Sequence, residues 1–292
     1  MNKPLTGTVT ASFGRHHEVT LPGASAPLEC VRRGRRKDVV CGDHVTISLT
    51  SPSQGVIESV QERQTLLHRS DEHRDKPLAA NVDQALVVVA TDPSYHDGIL
   101  TRCLIAAEAA GVAPVIVLNK SDLRNDAVRC LDALSYYEQM GYPLVSVSAL
   151  HDVSALVAIL KGHVSLLVGQ SGMGKSSLIN ALVPGATART GDLSTALDSG
   201  RHTTTFTRWY PLETGGALID SPGMQTFGLA HLQVSEYHFR EFSSLAGQCQ
   251  FSDCRHQQEP GCALKAWVAG HPQRERRLQY LRELQQPRRI RY

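Results

Sequence analysis

Residues 166–182, LLVGQSGMGKSSLINAL, read as an apolar strand, a glycine loop and a helix. Gly169 to Ser176 fits G-x-x-x-x-G-K-[ST] in that context, which commits the surrounding chain to an α/β sheet carrying a phosphate-binding loop at a strand end. The glycines let the backbone wrap so that successive N–H groups point at phosphate oxygens, and the helix N-terminus adds a favourable dipole. Lys175 is placed to reach the β- and γ-phosphates, and the Ser176 hydroxyl to ligate Mg2+.

Three further motifs stand at strand ends. NKSD, Asn119 to Asp122, closes the apolar run PVIVLN. A carboxylate at Asp122 can accept from both the ring N–H and the exocyclic amine of guanine, whereas adenine presents no such donor pair. GTP is therefore expected rather than ATP. Asn119 can tie this loop to the glycine loop, and the Lys120 stem can cover the flat face of a base. In SVSAL, the backbone around Ser148 and Ala149 can donate to the guanine carbonyl oxygen. DSPG, Asp220 to Gly223, has the form D-x-x-G: Asp220 would hold Mg2+ through water, and the Gly223 N–H would sense the γ-phosphate.

The order of the motifs is informative. NKSD and SAL precede the glycine loop, whereas a small GTPase usually has the glycine loop and D-x-x-G first, so the domain reads as circularly permuted. Permutation costs little where the original termini lie close together. The Thr-rich stretch GDLSTALDSGRHTTTF occupies the place of the first switch, where a threonine hydroxyl would complete the Mg2+ shell while GTP is bound. Met224 stands just after D-x-x-G, where many GTPases carry a water-orienting glutamine, and Gln225 comes one residue late. A thioether cannot orient water by hydrogen bonding. Slow intrinsic turnover is expected, with His202 the candidate to assist.

From Ala85 to Asp220 apolar runs (ALVVVA, PVIVLN, PLVSVS, VSLLVG) alternate with helical segments, as buried parallel strands do, and two further strands, TRWYPLE and GALID, follow the glycine loop. Ahead of them, GTVTASF, EVTL, LECVRRG, DHVTISL and GVIESVQ are short β-rich pieces separated by turn residues, which suggests a small barrel. Residues 32–38, RRGRRKD, place five cations between two of these strands, on a loop where such barrels touch nucleic acid. The polar, turn-rich LLHRSDEHRDKPLAANVDQ puts a domain boundary near residue 80. Net charge is +2 in residues 1–80, −5 in 81–245 and +5 in 246–292, a pattern suited to a ligand-handling domain held between modules that touch a polyanion. No apolar run approaches the length of a membrane span, and the first ten residues have no secretory character, so a cytoplasmic protein is expected.

Three of the seven cysteines fall within fourteen residues. Cys249, Cys254, His256 and Cys262 form C-x4-C-x-H-x5-C, a donor set suited to one structural tetrahedral Zn2+ that would pin a small helical module with little core of its own. Four protein ligands leave no open position for catalysis. Cys30, Cys41, Cys103 and Cys130 are scattered and read as ordinary thiols.

Together these features resemble the ribosome small subunit-dependent GTPase A family, and the resemblance covers nearly the whole chain. It implies an OB-fold over residues 1–80, a circularly permuted GTPase domain over 81–233, and a helical zinc domain with a basic tail over 234–292. It implies GTP hydrolysis stimulated by the 30S subunit late in that subunit's maturation, with 16S rRNA, GTP and GDP as partners. By position, Asn119, Lys120, Ser121 and Asp122, and Gly169, Gln170, Ser171, Gly172, Met173, Gly174, Lys175, Ser176 and Ser177, would bind GTP. Cys249, Cys254, His256 and Cys262 would bind zinc. The family's catalytic histidine falls on His202, and Thr204 matches the switch threonine that joins Ser176 at Mg2+. Arg288, Arg289 and Arg291 keep the tail basic. The competing reading is a nucleotide-gated RNA- or ribosome-binding module with negligible hydrolysis. Nothing in the sequence demands more than a monomer.

Overall fold

The computed structural model describes residues 4–34, 38–70, 75–186, 207–221, 227–229 and 231–285. It opens with five short strands, β1 (Leu5–Phe13), β2 (His16–Thr20), β3 (Leu28–Arg32), β4 (His44–Ser51) and β5 (Gln54–Val60). Apolar residues alternate along each, which turns one face inward. The strands run in the order β1-β2-β3-β5-β4, β4 pairs back onto β1, and β3 lies parallel to β5. This is a closed five-stranded barrel of OB type, filled by Val9, Val19, Cys30, Val45, Ile47 and Ile57. Two of the five cations in the run at residues 32–38 contact the barrel itself. Arg32 donates to the carbonyls of Ile57 and Glu58 at 3.3 and 2.8 Å, and Arg33 pairs with Glu58 at 2.8 Å. Arg35, Arg36 and Lys37 lie outside the described residues.

The stretch that reads as a turn-rich connector contains a hairpin, β6 (Leu66–Ser70) with β7 (Asp75–Ala80). Leu67, Leu78 and Ala79 are buried, so the polar composition belongs to its other positions. Asn81 fixes the hairpin to the barrel: its amide donates to the Gly42 carbonyl at 2.9 Å, and its oxygen accepts from the Gln64 N–H at 2.9 Å. The hairpin also bridges to the chain beyond DSPG, with Arg69 opposite Phe227 and the Gly228 N–H on the His68 carbonyl at 2.8 Å.

The α/β unit follows as β8 (Gln84–Ala90), α1 (Asp97–Ala109), β9 (Ala113–Asn119), α2 (Arg124–Gln139), β10 (Leu144–Ser146), α3 (Ser154–Leu160), β11 (Val164–Val168), α4 (Lys175–Leu182), β12 (Thr207–Pro211) and β13 (Ala217–Asp220). Strand order is β10-β9-β8-β11-β13-β12, parallel except for β12, which runs antiparallel to β13. Successive side chains divide between the two faces: Val87 and Val89 enter the core that holds Leu100, Leu104 and Leu134, while Leu86 and Val88 enter the one that holds Leu156, Leu160 and Leu178. The glycine-loop strand β11 is central in the sheet yet fourth of its strands in chain order, which is the permutation in structural form. β12 also pairs with β1, through Ala11↔Arg208 and Ser12↔Thr207, so barrel and sheet form one continuous 11-stranded sheet.

The C-terminal part comprises a 3-10 turn (Glu236–His238), α5 (Arg240–Ser243), α6 (Ala263–Val268) and α7 (Pro272–Gln285). It is not short of core. Phe239, Phe242, Leu264, Leu278 and Leu281 are buried in the same cluster as Leu100 and Leu104 of α1. At this contact Arg277 of α7, 1% exposed, pairs with Glu241 of α5 at 2.5 Å, donates to Thr101 Oγ1 at 2.5 Å and lies 4.9 Å from the centroid of the Phe239 ring. Removing one partner of such a pair strands the other charge in a dry environment. Glu241→Ala is therefore expected to cost about 3 kcal/mol and to lower the thermal midpoint by several degrees, read by calorimetry. Among the described residues no helix is long and apolar enough to cross a membrane.

Candidate nucleotide site and metal centre

The strand ends that carry the motifs meet along one edge of the sheet. Gly169 follows β11 with φ +148°, and a Cβ there would stand 2.2 Å from the Val88 carbonyl oxygen, so the close strand-to-loop approach requires glycine. Gly174 has φ +84° directly before α4, and a Cβ there would lie 2.3 Å from Asn119 Nδ2. Asn119 is the brace that its motif suggests: Nδ2 donates to the Met173 carbonyl at 3.0 Å, while Oδ1 accepts from the Ala149 N–H at 3.0 Å. One buried side chain thus joins the NKSD, glycine-loop and SAL segments. Gly174→Ala should displace Asn119, and titration with a fluorescent guanine nucleotide should show about tenfold weaker binding, as expected for losing one or two buried hydrogen bonds.

Asp122 is exposed at the mouth of this crevice and accepts from Ser148 Oγ at 2.6 Å. That hydroxyl holds the Asp122 carboxyl below the usual carboxylate range, so it stays an acceptor well into acid. The Ser121 N–H donates to the Val147 carbonyl at 3.1 Å and fastens the loop to the end of β10. Lys120 has φ +61°, a left-handed conformation that side chains rarely adopt, and its ammonium donates to the Asp92 carbonyl. Strain of this kind persists where surrounding contacts over-determine it.

Lys175 begins α4, and its ammonium donates to the carbonyls of Gly169 and Gln170 at 2.5 and 2.7 Å. Burial pushes its pKa down, with Asp220 opposing; burial pushes the Asp220 carboxyl up, with Lys175 opposing. A phosphate at Lys175 and a cation at Asp220 would each reverse its shift. Ser176 and Ser177 occupy the first turn of α4, and Ser171 and Gly172 the exposed tip of the loop. Gly223, Met224 and Gln225, the switch residues His202 and Thr204, and the tail residues Arg288, Arg289 and Arg291 lie outside the described residues.

The motifs missed one contributor. The β8–α1 loop, Thr91–His96, supplies the Asp92 carbonyl to Lys120, and its His96 N–H donates to Gln170 Oε1. Backbone groups carry both contacts, so no residue type announces them.

The second centre lies in the C-terminal part. Cys249, Cys254, His256 and Cys262 bring their donor atoms within 4.8 Å of one another. His256 Nδ1 is 3.6, 3.6 and 3.4 Å from the sulfurs of Cys249, Cys254 and Cys262, and the Cys249 and Cys262 sulfurs are 3.9 Å apart. A tetrahedron of metal–sulfur bonds of ~2.3 Å and one metal–nitrogen bond of ~2.0 Å has edges of about 3.5–3.8 Å, which these separations fit. His256 is buried at φ +59° and presents Nδ1 to the cluster, while Nε2 faces Glu236 Oε2 at 3.7 Å. A carboxylate on the far ring nitrogen is the usual outer partner of a metal-bound histidine. The other four cysteines lie outside the cluster: Cys30, Cys41 and Cys103 are buried, and Cys130 partly so.

Comparison with known proteins agrees with this geometry. The RsgA GTPase family matches residues 60–230. A protein of Nitrosospira multiformis, named small ribosomal subunit biogenesis GTPase RsgA, is 49% identical over 263 residues, covering 89% of this chain and 84% of its own. A Neisseria gonorrhoeae protein of the same name is 49% identical over 263 residues, covering 89% of this chain and 85% of its own. The crystal structure of YjeQ from Thermotoga maritima, 30% identical, superposes with a TM-score of 0.73 over 98% of this chain and 100% of that one. YloQ, described as a circularly permuted GTPase, shares the fold at 23% identity, with a TM-score of 0.68 over 98% of each chain. The permuted sheet, the crevice at its edge and these likenesses lead to one conclusion: the chain belongs to the RsgA GTPase family.

Proposed function

We propose that this protein hydrolyses GTP on the small ribosomal subunit, binding 16S rRNA and coupling hydrolysis to its own release late in 30S maturation. The observation that carries the reading is Asn119, whose amide joins the guanine-reading loop, the glycine loop and the SAL loop into one crevice. Asp122 then reads guanine, the loop from Gly169 to Ser177 holds the phosphates, and Lys175 neutralises charge on the β- and γ-phosphates. Ser176, Thr204 and, through water, Asp220 hold Mg2+, with Gly223 sensing the γ-phosphate and His202 assisting the attacking water. The relatives named for small-subunit biogenesis support the choice of particle.

Residues 1–80, 81–233 and 234–292 act as RNA-binding barrel, GTPase and metal-holding module, with the tail arginines adding to the RNA contact. The metal is one structural Zn2+, because three thiolates and an imidazole at tetrahedral spacing favour it and leave no open position. The site of action is the cytoplasm, and the protein works as a monomer.

Co-sedimentation with purified 30S and 50S particles tests the partner. The protein should pellet with 30S when loaded with a non-hydrolysable GTP analogue and much less with GDP. Pelleting with neither particle in any nucleotide state would refute the assignment.

A further inference from the structure

The loop Thr91–His96 touches three residues assigned to the nucleotide. The Asp92 carbonyl accepts from the ammonium of Lys120, the base-covering residue. The Pro93 ring lies against the glycine loop, so close that a Cβ on Gly172 would stand 2.9 Å from Pro93 Cγ. The His96 N–H donates to the side-chain oxygen of Gln170. These contacts fix the loop against both the phosphate and the base ends of the crevice, although none of its residues belongs to a nucleotide motif.

The other side of the same segment is held from the C-terminal part. Tyr280 of α7 packs over Gly98, where a Cβ would meet Tyr280 Cε1 at 3.1 Å and His96 Cε1 at 3.2 Å. Asp97 accepts from Tyr137 Oη at 2.6 Å, and burial together with Asp97 pushes the Tyr280 phenol up to about 12. One α-helical turn on, Thr101 accepts from Arg277 at 2.5 Å. Two residues of α7 therefore grip the first turns of α1, from which the loop departs.

We propose that Thr91–His96 is a positioning element of the nucleotide site and that α7 sets its position, so that the C-terminal module governs how long guanine nucleotide stays bound. The proposal rests on the reading of the crevice as a GTP site. Physically, the module can change retention only by shifting the loop between arrangements that differ in affinity, and couplings of this kind are typically fivefold or more. The route runs from Tyr280, which packs over Gly98, to His96, whose ring flanks the same glycine, and from the His96 N–H to Gln170.

Stopped-flow release of N-methylanthraniloyl-GDP from the full-length, zinc-loaded protein tests it. If the wild-type protein does not bind this probe, the GTP-site reading fails, and the proposal with it. Given binding, Pro93→Ala and Tyr280→Ala should each speed release about fivefold or more, with metal content and thermal midpoint close to wild type. Tyr280→Phe, which keeps the ring over Gly98, should restore most of the retention, as general loosening of α7 would not. Gln279→Ala, on the solvent side of α7, serves as the control. Wild-type release from both Pro93→Ala and Tyr280→Ala would overturn the proposal, and fast release from Pro93→Ala alone would overturn the role of α7. Should Tyr280→Ala not fold, Tyr280→Leu gives the same comparison with an apolar side chain retained.

Discussion

Cys262→Ser should abolish metal binding: elemental analysis of the purified variant should find far less than one zinc per chain. Cys262 has two roles. Its sulfur is 3.4 Å from His256 Nδ1 and 3.9 Å from the Cys249 sulfur, and it also accepts from the Lys265 N–H at 3.4 Å as the N-cap of α6. Serine can keep a cap, but it is a poor ligand for a site built on thiolates. Structural zinc sites of this type are worth roughly 10 kcal/mol or more in apparent binding energy, most of it folding energy. Phe242 and Leu264 share a buried cluster with Leu100 and Leu104 of α1, so the variant should retain part of its helical structure while its C-terminal segment becomes open to limited proteolysis. Full zinc content in Cys262→Ser, or no change in proteolysis on chelation, would count against a structural metal.

The second large effect is expected at Asp122. Its carboxylate can accept two hydrogen bonds from guanine, each charge-assisted and worth about 1.5–3 kcal/mol, so Asp122→Asn should weaken GTP binding by roughly two to four orders of magnitude. Asparagine keeps one acceptor and gains a donor. Xanthine presents a carbonyl oxygen where guanine has its amine, so the variant should bind XTP better than GTP. Ser148 can still donate to the new amide oxygen from 2.6 Å away, so the loop should hold its shape and the protein its thermal midpoint. Competition titrations with GTP, XTP and ATP distinguish this inversion from a general loss. Equal weakening for all three nucleotides would mean that Asp122 does not read the base.

Legibility in the sequence followed chemistry. The glycine loop, NKSD, DSPG and the cysteine cluster could be found because phosphate, guanine and metal each demand particular side chains at particular spacing, and the described parts of all four motifs lie as the spacing suggests. Asn119 could be read in advance as a brace because its side-chain amide can donate to one loop while accepting from another. The β6–β7 hairpin was hidden by its polar surface, since among its described residues Leu67, Leu78, Ala79 and Ala80 are the buried ones. Arg277 was hidden too: it is one of three arginines within residues 274–277, yet it is buried and paired with Glu241. The loop Thr91–His96 could not be seen at all, because it acts through a carbonyl, an N–H and a proline ring. Arg32 and Arg33 show the reverse case, a charge run in which some members serve the barrel itself.

The central claim is a GTPase switched on by the small ribosomal subunit, and steady-state GTP hydrolysis by the purified, zinc-loaded protein tests it most directly. Turnover should be slow alone, rise by orders of magnitude with 30S particles, and rise little with 50S. His202→Ala should lose that rise while keeping GTP affinity. Tight GTP binding with no stimulation by any particle would contradict the account and leave a nucleotide-gated binding protein in its place.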